Sequence, residues 1–481
     1  MTSGAITAAT PGARTTRSSA AGVFVPSLYV AVFLAGAVLN ALAYQSLVAF
    51  VFGFLMLAVA AIPVALLSRN LAGCVAYVRL FAVCWFMAGV GAGFAAWGND
   101  PLQLDSDAST FFELASGAAR GLGLAEITEI SEGAGAIVIW RGFYELAAAL
   151  GFERSRYIGI GLNCALVAWF GAIAMAACRT MYGRETDRER RLAWLLAGCG
   201  LLWLFAGVHL RDASILLVVS TAVYLWLRFL SLGGGRRAAL LALAMPAVAL
   251  VLGTLRREFA LVPLVMAVAG LVSIVLAPPG DPVRRWRWVA LGILAAGSAL
   301  ATGMVWEALF ALGTGSDTYR ELARAEASSS SLGTALVVNQ PPPIRAVVGT
   351  AYLLMFPIPV WSGFVSGSAI QFFKSCSALF FYAAVPMIGV AVGTLWRERS
   401  ERRADRMFLL MVGGAFVVAI ALSSLEVRHL GSFLLPLLLL AILPDPRSVS
   451  QRLRLRRALL VTLTVMLLVH VAWGVLKILV G

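Results

Sequence analysis

The sequence predicts an all-α fold, a polytopic transmembrane helix bundle, and three observations carry the prediction. Of its 481 residues 60% are hydrophobic and only 13% charged, outside the soluble range of roughly 45–50% apolar and about 25% charged; the mean hydropathy is +0.88. Apolar runs of about twenty residues, the length at which a helix crosses a hydrocarbon core of roughly 30 Å, recur along the chain. The connections between them alternate between Arg-rich and acidic or mixed, as loops on the two sides of a membrane do. No stretch is polar enough to be a soluble domain, so the bundle is the domain, and disordered, collagenous and disulfide-scaffold classes are excluded.

Residues 1–21 are rich in Ser, Thr, Ala and Gly with Arg14 and Arg17, the composition of a disordered tail, and the basic residues place it in the cytoplasm. The transmembrane helical domain is 22–481. Its first run, 22–41, is longer than a signal-peptide core, although Ala41-Leu42-Ala43 imitates a cleavage site; it reads as an uncleaved span. Further spans are expected near 47–68, 78–98, 157–178, 192–209, 213–230, 238–254, 259–277, 289–312, 373–395, 407–424, 430–444 and 458–480, about thirteen in all. The loops holding Arg69/Arg79, Arg179 to Arg191, Arg236/Arg237, Arg284 to Arg287, Arg397 to Arg406 and Arg447 to Arg457 then fall on the cytoplasmic side.

The opposite side receives two large outer loops, 99–156 and 313–372. The first opens with Asp100, Asp105, Asp107, Glu113, Glu126, Glu129 and Glu132 against a single Arg120. Within the loops, 134–150 reads as interfacial. So does 346–363, because Pro357 and Pro359 break a helix and Trp361 suits the headgroup level. The parity of the basic loops requires that 346–363 not cross.

The charge balance is +14, nearly all of it from Arg, since Lys374 and Lys477 are the only lysines. In a membrane protein this excess belongs to loop orientation, and with no basic and aromatic surface segment nucleic acid is not an expected partner. Six cysteines lie scattered in or beside apolar runs without a CxxC spacing and read as small core residues. His470, mid-span in the last helix, reads as a hydrogen-bonded core histidine.

The outer connections concentrate ionisable groups at the mouths of apolar helices. They carry Asp105 and Asp107; Arg211-Asp212; Arg256-Arg257-Glu258; Asp317, Arg320, Arg324 and Arg345; and Glu426, Arg428 and His429. Tight turns need polar residues simply to be solvated, and Arg snorkels to headgroups. Outer loops are nevertheless poor in Arg as a rule, so arginines gathered there call for a counter-charge, and phosphate, which accepts bidentate bonds from guanidinium, is the natural one. A nearby carboxylate can serve as general base toward a hydroxyl. Asp105, Asp107 and Asp212 also offer oxygen ligands to a hard divalent cation, the only cofactor the sequence hints at. A sugar on a lipid phosphate would satisfy arginines and carboxylate together.

At Asp107-Ala-Ser-Thr-Phe-Phe-Glu-Leu-Ala115 the chain resembles the GT-C superfamily of integral-membrane glycosyltransferases, whose first large outer loop often reads Asp, three residues, an aromatic and then a Leu-Ala helix start. Arg211-Asp212 looks like the second acidic position of that superfamily and Arg256-Arg257-Glu258 like its Arg-containing junction. The resemblance implies an inverting transfer from a polyprenyl-phosphate-linked sugar donor to a glycan or glycolipid acceptor on the outer face of the bacterial cytoplasmic membrane. Asp107 would be the base, Asp105 and Asp212 the further acidic positions. Arg211, Arg256, Arg257, Glu258, Arg320, Arg345, Arg428 and His429 would bind substrate. Three spans precede the Asp loop here, whereas many members place it after the first. The chain is also similar to O-antigen and exopolysaccharide repeat-unit polymerases, which share the lipid-linked substrate. A flippase or other transporter is the non-enzyme alternative, disfavoured because transporters place charges near the midplane.

Overall fold

The computed structural model describes residues 19–68, 71–98, 106–118, 122–131, 133–277, 282–288, 291–292, 321, 337, 339–398, 403–445 and 448–480. Every regular element among them is helical. The expected span 289–312, apart from 291–292, and the sites Asp105 and Arg320 lie outside the described residues.

Among the described residues eight helices are long and apolar enough to cross a membrane. In chain order the described helices begin with α1 (Ser19–Ala43), α2 (Leu47–Ser68) and α3 (Leu71–Trp97). Short helices α4 (Ser106–Glu113), extended by a π turn at Leu114–Ala118, α5 (Leu124–Ile130) and α6 (Ala134–Ala149) form the first large loop. Then come α7 (Arg156–Tyr182), α8 (Thr186–Ala197), α9 (Gly200–Gly207), α10 (Asp212–Leu232), α11 (Gly235–Leu255) and α12 (Val262–Leu276), the last entered through a 3-10 turn at Arg257–Leu261. The C-terminal part holds α13 (Pro342–Met355), α14 (Ser362–Val365), α15 (Ala369–Arg397), α16 (Ala404–Leu422), α17 (Val427–Gly431), α18 (Leu434–Ala441) and α19 (Val449–Val480). The chain is an integral-membrane helical bundle.

The core forms around α3 and α7, which pack on each other; α3 also packs on α1, α2 and α9, and α7 on α10. Tyr77, Phe81 and Trp85, spaced four apart on α3, stack successively at 6.0 and 6.2 Å. Polar bonds at these contacts go to backbone carbonyls, the arrangement that best satisfies a donor where water is absent. Asn40 donates to Trp85 O at 2.8 Å, tying α1 to α3, and Trp169 Nε1 donates to Ala60 O at 2.7 Å, tying α7 to α2.

Two expected spans are not single helices. The run 192–209 breaks between α8 and α9, where a Cβ on Gly200 would stand 2.4 Å from the backbone nitrogen of Ser377. That approach of α9 to α15 is available to glycine alone, and apolarity along the run conceals it. The run 430–444 likewise divides into the end of α17 and α18. Gly431 there faces Phe205 at a separation that leaves no room for a side chain. Of the segments read as interfacial, α6 has 16 residues, about 24 Å at 1.5 Å per residue. The other divides into α13, a turn through Phe356–Trp361 and the short α14. His470 holds that turn as a core histidine: its Nε2 accepts from Val360 N–H at 3.0 Å while Nδ1 donates to Met466 O at 2.7 Å.

The helices divide their connections between two ends. At the basic end Arg179 grips Glu189 at 2.6 and 2.9 Å, Arg191 donates to Pro444 O at 2.8 Å, and Ser231 donates to Asp405 at 2.9 Å. The opposite, mixed-charge end collects the first large loop with the turns at 208–211, 256–258 and 423–429.

Asn163 fixes one of those turns. Buried on α7, it donates to Val208 O at 3.0 Å and Leu210 O at 3.1 Å, and its Oδ1 accepts from Trp140 Nε1 at 3.2 Å. Asn163→Leu, close in volume and without donors, leaves the Leu210 carbonyl and the Trp140 indole unbonded, while Val208 O keeps only the Leu210 N–H at 2.7 Å. The expected cost is about 1–3 kcal/mol for each buried group left unsatisfied, read as a lower melting midpoint of the detergent-solubilised protein.

Candidate functional site

The mixed-charge end is built on helix starts and helix ends. Asp107 lies in the first turn of α4, where a carboxylate complements the partial positive charge of a helix N-terminus. Asp212 opens α10 in the same way and is buried, 5% exposed, at the foot of the Asn163-held turn. Arg256 ends α11, Glu258 follows in the 3-10 turn, and Arg428 and His429 sit on α17.

These segments are far apart in sequence and meet through charge. Arg428 Nη2 donates to Asp107 Oδ2 at 3.2 Å, joining residues 321 positions apart. Arg428 also acts electrostatically on Asp212, ahead of Arg256 and Arg211, so one guanidinium serves both carboxylates. The Arg211 guanidinium lies over the Phe111 ring at 5.5 Å, above the helix that carries Asp107. Two acidic and two basic positions singled out in the sequence thus come together with Arg256 beside them.

Arg256 is spoken for within the protein: Nε donates to Glu258 and Nη1 to His429 Nε2. Since Nε2 accepts, the ring proton is on Nδ1, where it is donated to Ser424 Oγ at 2.7 Å. Burial, and after it Arg256, Arg428, Arg211 and Lys374, holds the His429 imidazole well below its ordinary pKa. Lys374, at the start of α15, pairs with Glu426 at 2.9 Å. Burial would raise the Glu426 carboxyl, but Lys374 first and then Arg428 outweigh it and hold the group below its usual range.

Other sequence candidates fall elsewhere. Arg257 is exposed one residue beyond buried Arg256. Arg345 is buried and donates to Ala421 O at 3.3 Å and Ser423 O at 3.0 Å, so it caps the C-terminal end of α16, where cations are favoured. Lys374 was not among the sequence candidates, although a single lysine at the outer mouth of a span was a usable signal. Ser424 and Asn163 carry no charge and left none.

For a divalent cation the donor set does not fit. Among the described residues no three His, Cys, Asp or Glu side chains gather to hold a metal, and Asp105 is outside them. Asp107 is bonded to Arg428, and three guanidinium groups act on Asp212. A cation there would have to displace arginines from both carboxylates.

No family model, curated protein or solved structure matches the chain. The likeness of Asp107–Ala115 to the GT-C loop therefore stands on those residues alone.

The state of His429 has a pH signature. A group held neutral in the fold but protonated when unfolded costs stability as pH falls below its unfolded value, near 6.5. The melting midpoint should drop between about pH 7 and about pH 5. His429→Gln, which has no titrating ring, should remove its share of that drop relative to wild type, the remainder coming from His209, whose ring burial also holds neutral, whereas a decline set by Glu426 begins only below its unfolded value of about 4.3.

Proposed function

We propose that the chain is a membrane glycosyltransferase that moves a sugar from a polyprenyl-phosphate-linked donor to a glycan or glycolipid acceptor at its mixed-charge end. The observation that carries the reading is the Asp107–Arg428 pair with Asp212 and Arg211 beside it, a carboxylate and guanidinium groups at one end of an apolar bundle. The Asp107 side chain retains 46% of its exposure, so a substrate hydroxyl can reach it.

Asp107 takes the proton of the acceptor hydroxyl as its oxygen attacks the anomeric carbon. The bond from that carbon to the donor phosphate oxygen breaks, and the lipid phosphate leaves with the electron pair. Arg428 and Arg211 stabilise the charge developing on the leaving oxygen. Attack opposite to the leaving group inverts the anomeric centre. Asp212 holds the two arginines toward the site. Arg256, with Glu258, His429 and Ser424, forms the frame behind it, as does the Lys374–Glu426 pair.

In this reading the basic end faces the cytoplasm of a bacterial cell, the N-terminus is on that side, and the reacting groups face outward. A repeat-unit polymerase would use the same chemistry on a larger donor, and a flippase would transport such a lipid without cleaving it. The lipid-linked intermediate that accumulates when the gene is deleted separates the three. One lacking a single sugar supports the transferase; a complete repeat unit in the outer leaflet supports polymerisation; a complete unit retained in the inner leaflet supports transport.

Two substitution series test the residues. Asp107→Asn preserves size and should lower turnover by about 100-fold or more, the usual range for loss of a general base; normal turnover at matched expression would sink the assignment. Lys in place of Arg keeps the charge but not the fork. Arg428→Lys and Arg256→Lys should both be damaging, the first in donor affinity and turnover, the second in thermal stability, while Arg257→Lys should be neutral in both. An Arg257→Lys variant as impaired as Arg256→Lys would contradict the division of labour.

A further inference from the structure

At the basic end, α10 and α11 are joined by Gly233 and Gly234, with φ of +60° and +102°. These left-handed conformations suit glycine and fold the chain back so sharply that the last turn of α10 lies against the first of α11. Between them is a cleft of about 640 Å³ whose lining includes Arg228, Arg236 and Arg237. Its remaining walls are apolar, with Leu225, Leu240 and Leu243 among them.

The charge here is arranged unlike that at the opposite end. There each buried cation has a carboxylate or a carbonyl. Here none of the lining residues is acidic, and among the described residues no carboxylate pairs with Arg228, Arg236 or Arg237. Arg228 lies over the Tyr224 ring at 5.7 Å, and Arg237 donates to Gly233 O at 2.7 Å, contacts that fix the two groups without neutralising them. Leu240 and Leu243 are 50% and 77% exposed, and Leu250 and Val251 continue the exposed face up α11. Three cations therefore stand at the foot of an apolar stripe parallel to a membrane-spanning helix.

We propose that this cleft binds an anionic phospholipid, its phosphate held by Arg228, Arg236 and Arg237 and its acyl chain laid along Leu240, Leu243 and Leu250. Guanidinium forks match phosphate oxygens, and basic pockets between transmembrane helices suit such headgroups. The site is separate from the mixed-charge end and does not depend on the chemistry proposed there.

The test is native mass spectrometry of the full-length protein, delipidated in detergent and titrated with dioleoyl phosphatidylglycerol, cardiolipin or dioleoyl phosphatidylcholine. Both anionic lipids should bind in preference to phosphatidylcholine. Replacing Arg228, Arg236 and Arg237 together by Gln should weaken anionic-lipid binding about tenfold or more, given that each basic residue near such a surface contributes measurably to attraction. Replacing exposed Arg452, Arg456 and Arg457 at the start of α19 by Gln should not. Equal binding of phosphatidylcholine, or equal loss in both triple variants, overturns the proposal, the second because it shows only general surface charge. Full displacement by millimolar inorganic phosphate overturns the lipid as occupant in favour of a free anion. If the triple variant does not fold, Leu243→Trp provides an independent reading. Brominated phosphatidylglycerol should quench its fluorescence more than brominated phosphatidylcholine at equal mole fraction, and equal quenching counts against the site.

Discussion

Charges set beside apolar helices have to be neutralised locally, because the attraction of distant counter-ions does not repay their desolvation. At the mixed-charge end this requirement holds together segments that hydrophobic packing alone would leave in loose register. Arg428 draws α17 onto α4 through Asp107, Arg256 draws the end of α11 onto α17 through His429, and Lys374 draws α15 onto the 423–426 turn through Glu426. Arg428 acts on Asp107, Asp212 and Glu426 at once, so the network behaves as a unit.

The neutral members of the network matter as much as the charged ones. Asn163 and Trp140 fix the turn that presents Arg211 and Asp212, and the hydroxyl of Ser424 sets the tautomer in which His429 accepts from Arg256. A substituent that moved the 208–210 turn would displace both residues that follow it. The cluster is therefore organised at two depths: a buried frame of backbone carbonyls, amide and imidazole, and a more open layer with Asp107 at its edge.

How much of this was legible beforehand depends on the kind of signal. Apolar run length located the helices well, since crossing a bilayer imposes a minimum length. The alternation of Arg-rich and acidic or mixed loops anticipated which turns would gather at the same end. The breaks inside 192–209 and 430–444 were hidden because Gly200 and Gly431 sit in uniformly apolar sequence, and only the neighbouring helix reveals why a side chain is excluded. In the site, charge made Asp107, Arg211, Asp212, Arg256 and Arg428 visible. Nothing in a single sequence distinguishes Arg256, turned inward, from Arg257, turned outward, or tells that Arg345 is committed to the carbonyls of Ala421 and Ser423. Those assignments are decided by which face a turn presents.

The pairing of Asp107 with Arg428 also bears on how the protein is made. The cation follows the carboxylate by 321 positions, an interval of roughly 20–60 s at ribosomal rates of about 5–20 residues per second. Throughout it the nascent bundle carries Asp107 on α4 without the guanidinium that pairs with it, and Asp212, once α10 has followed, with Arg211 and Arg256 alone. Those carboxylates must stay hydrated at the bilayer edge until α16 has inserted and α17 swings over them. A chain truncated anywhere before α17 would lack the guanidinium that pairs with Asp107 and would keep the polar corner of the bundle open.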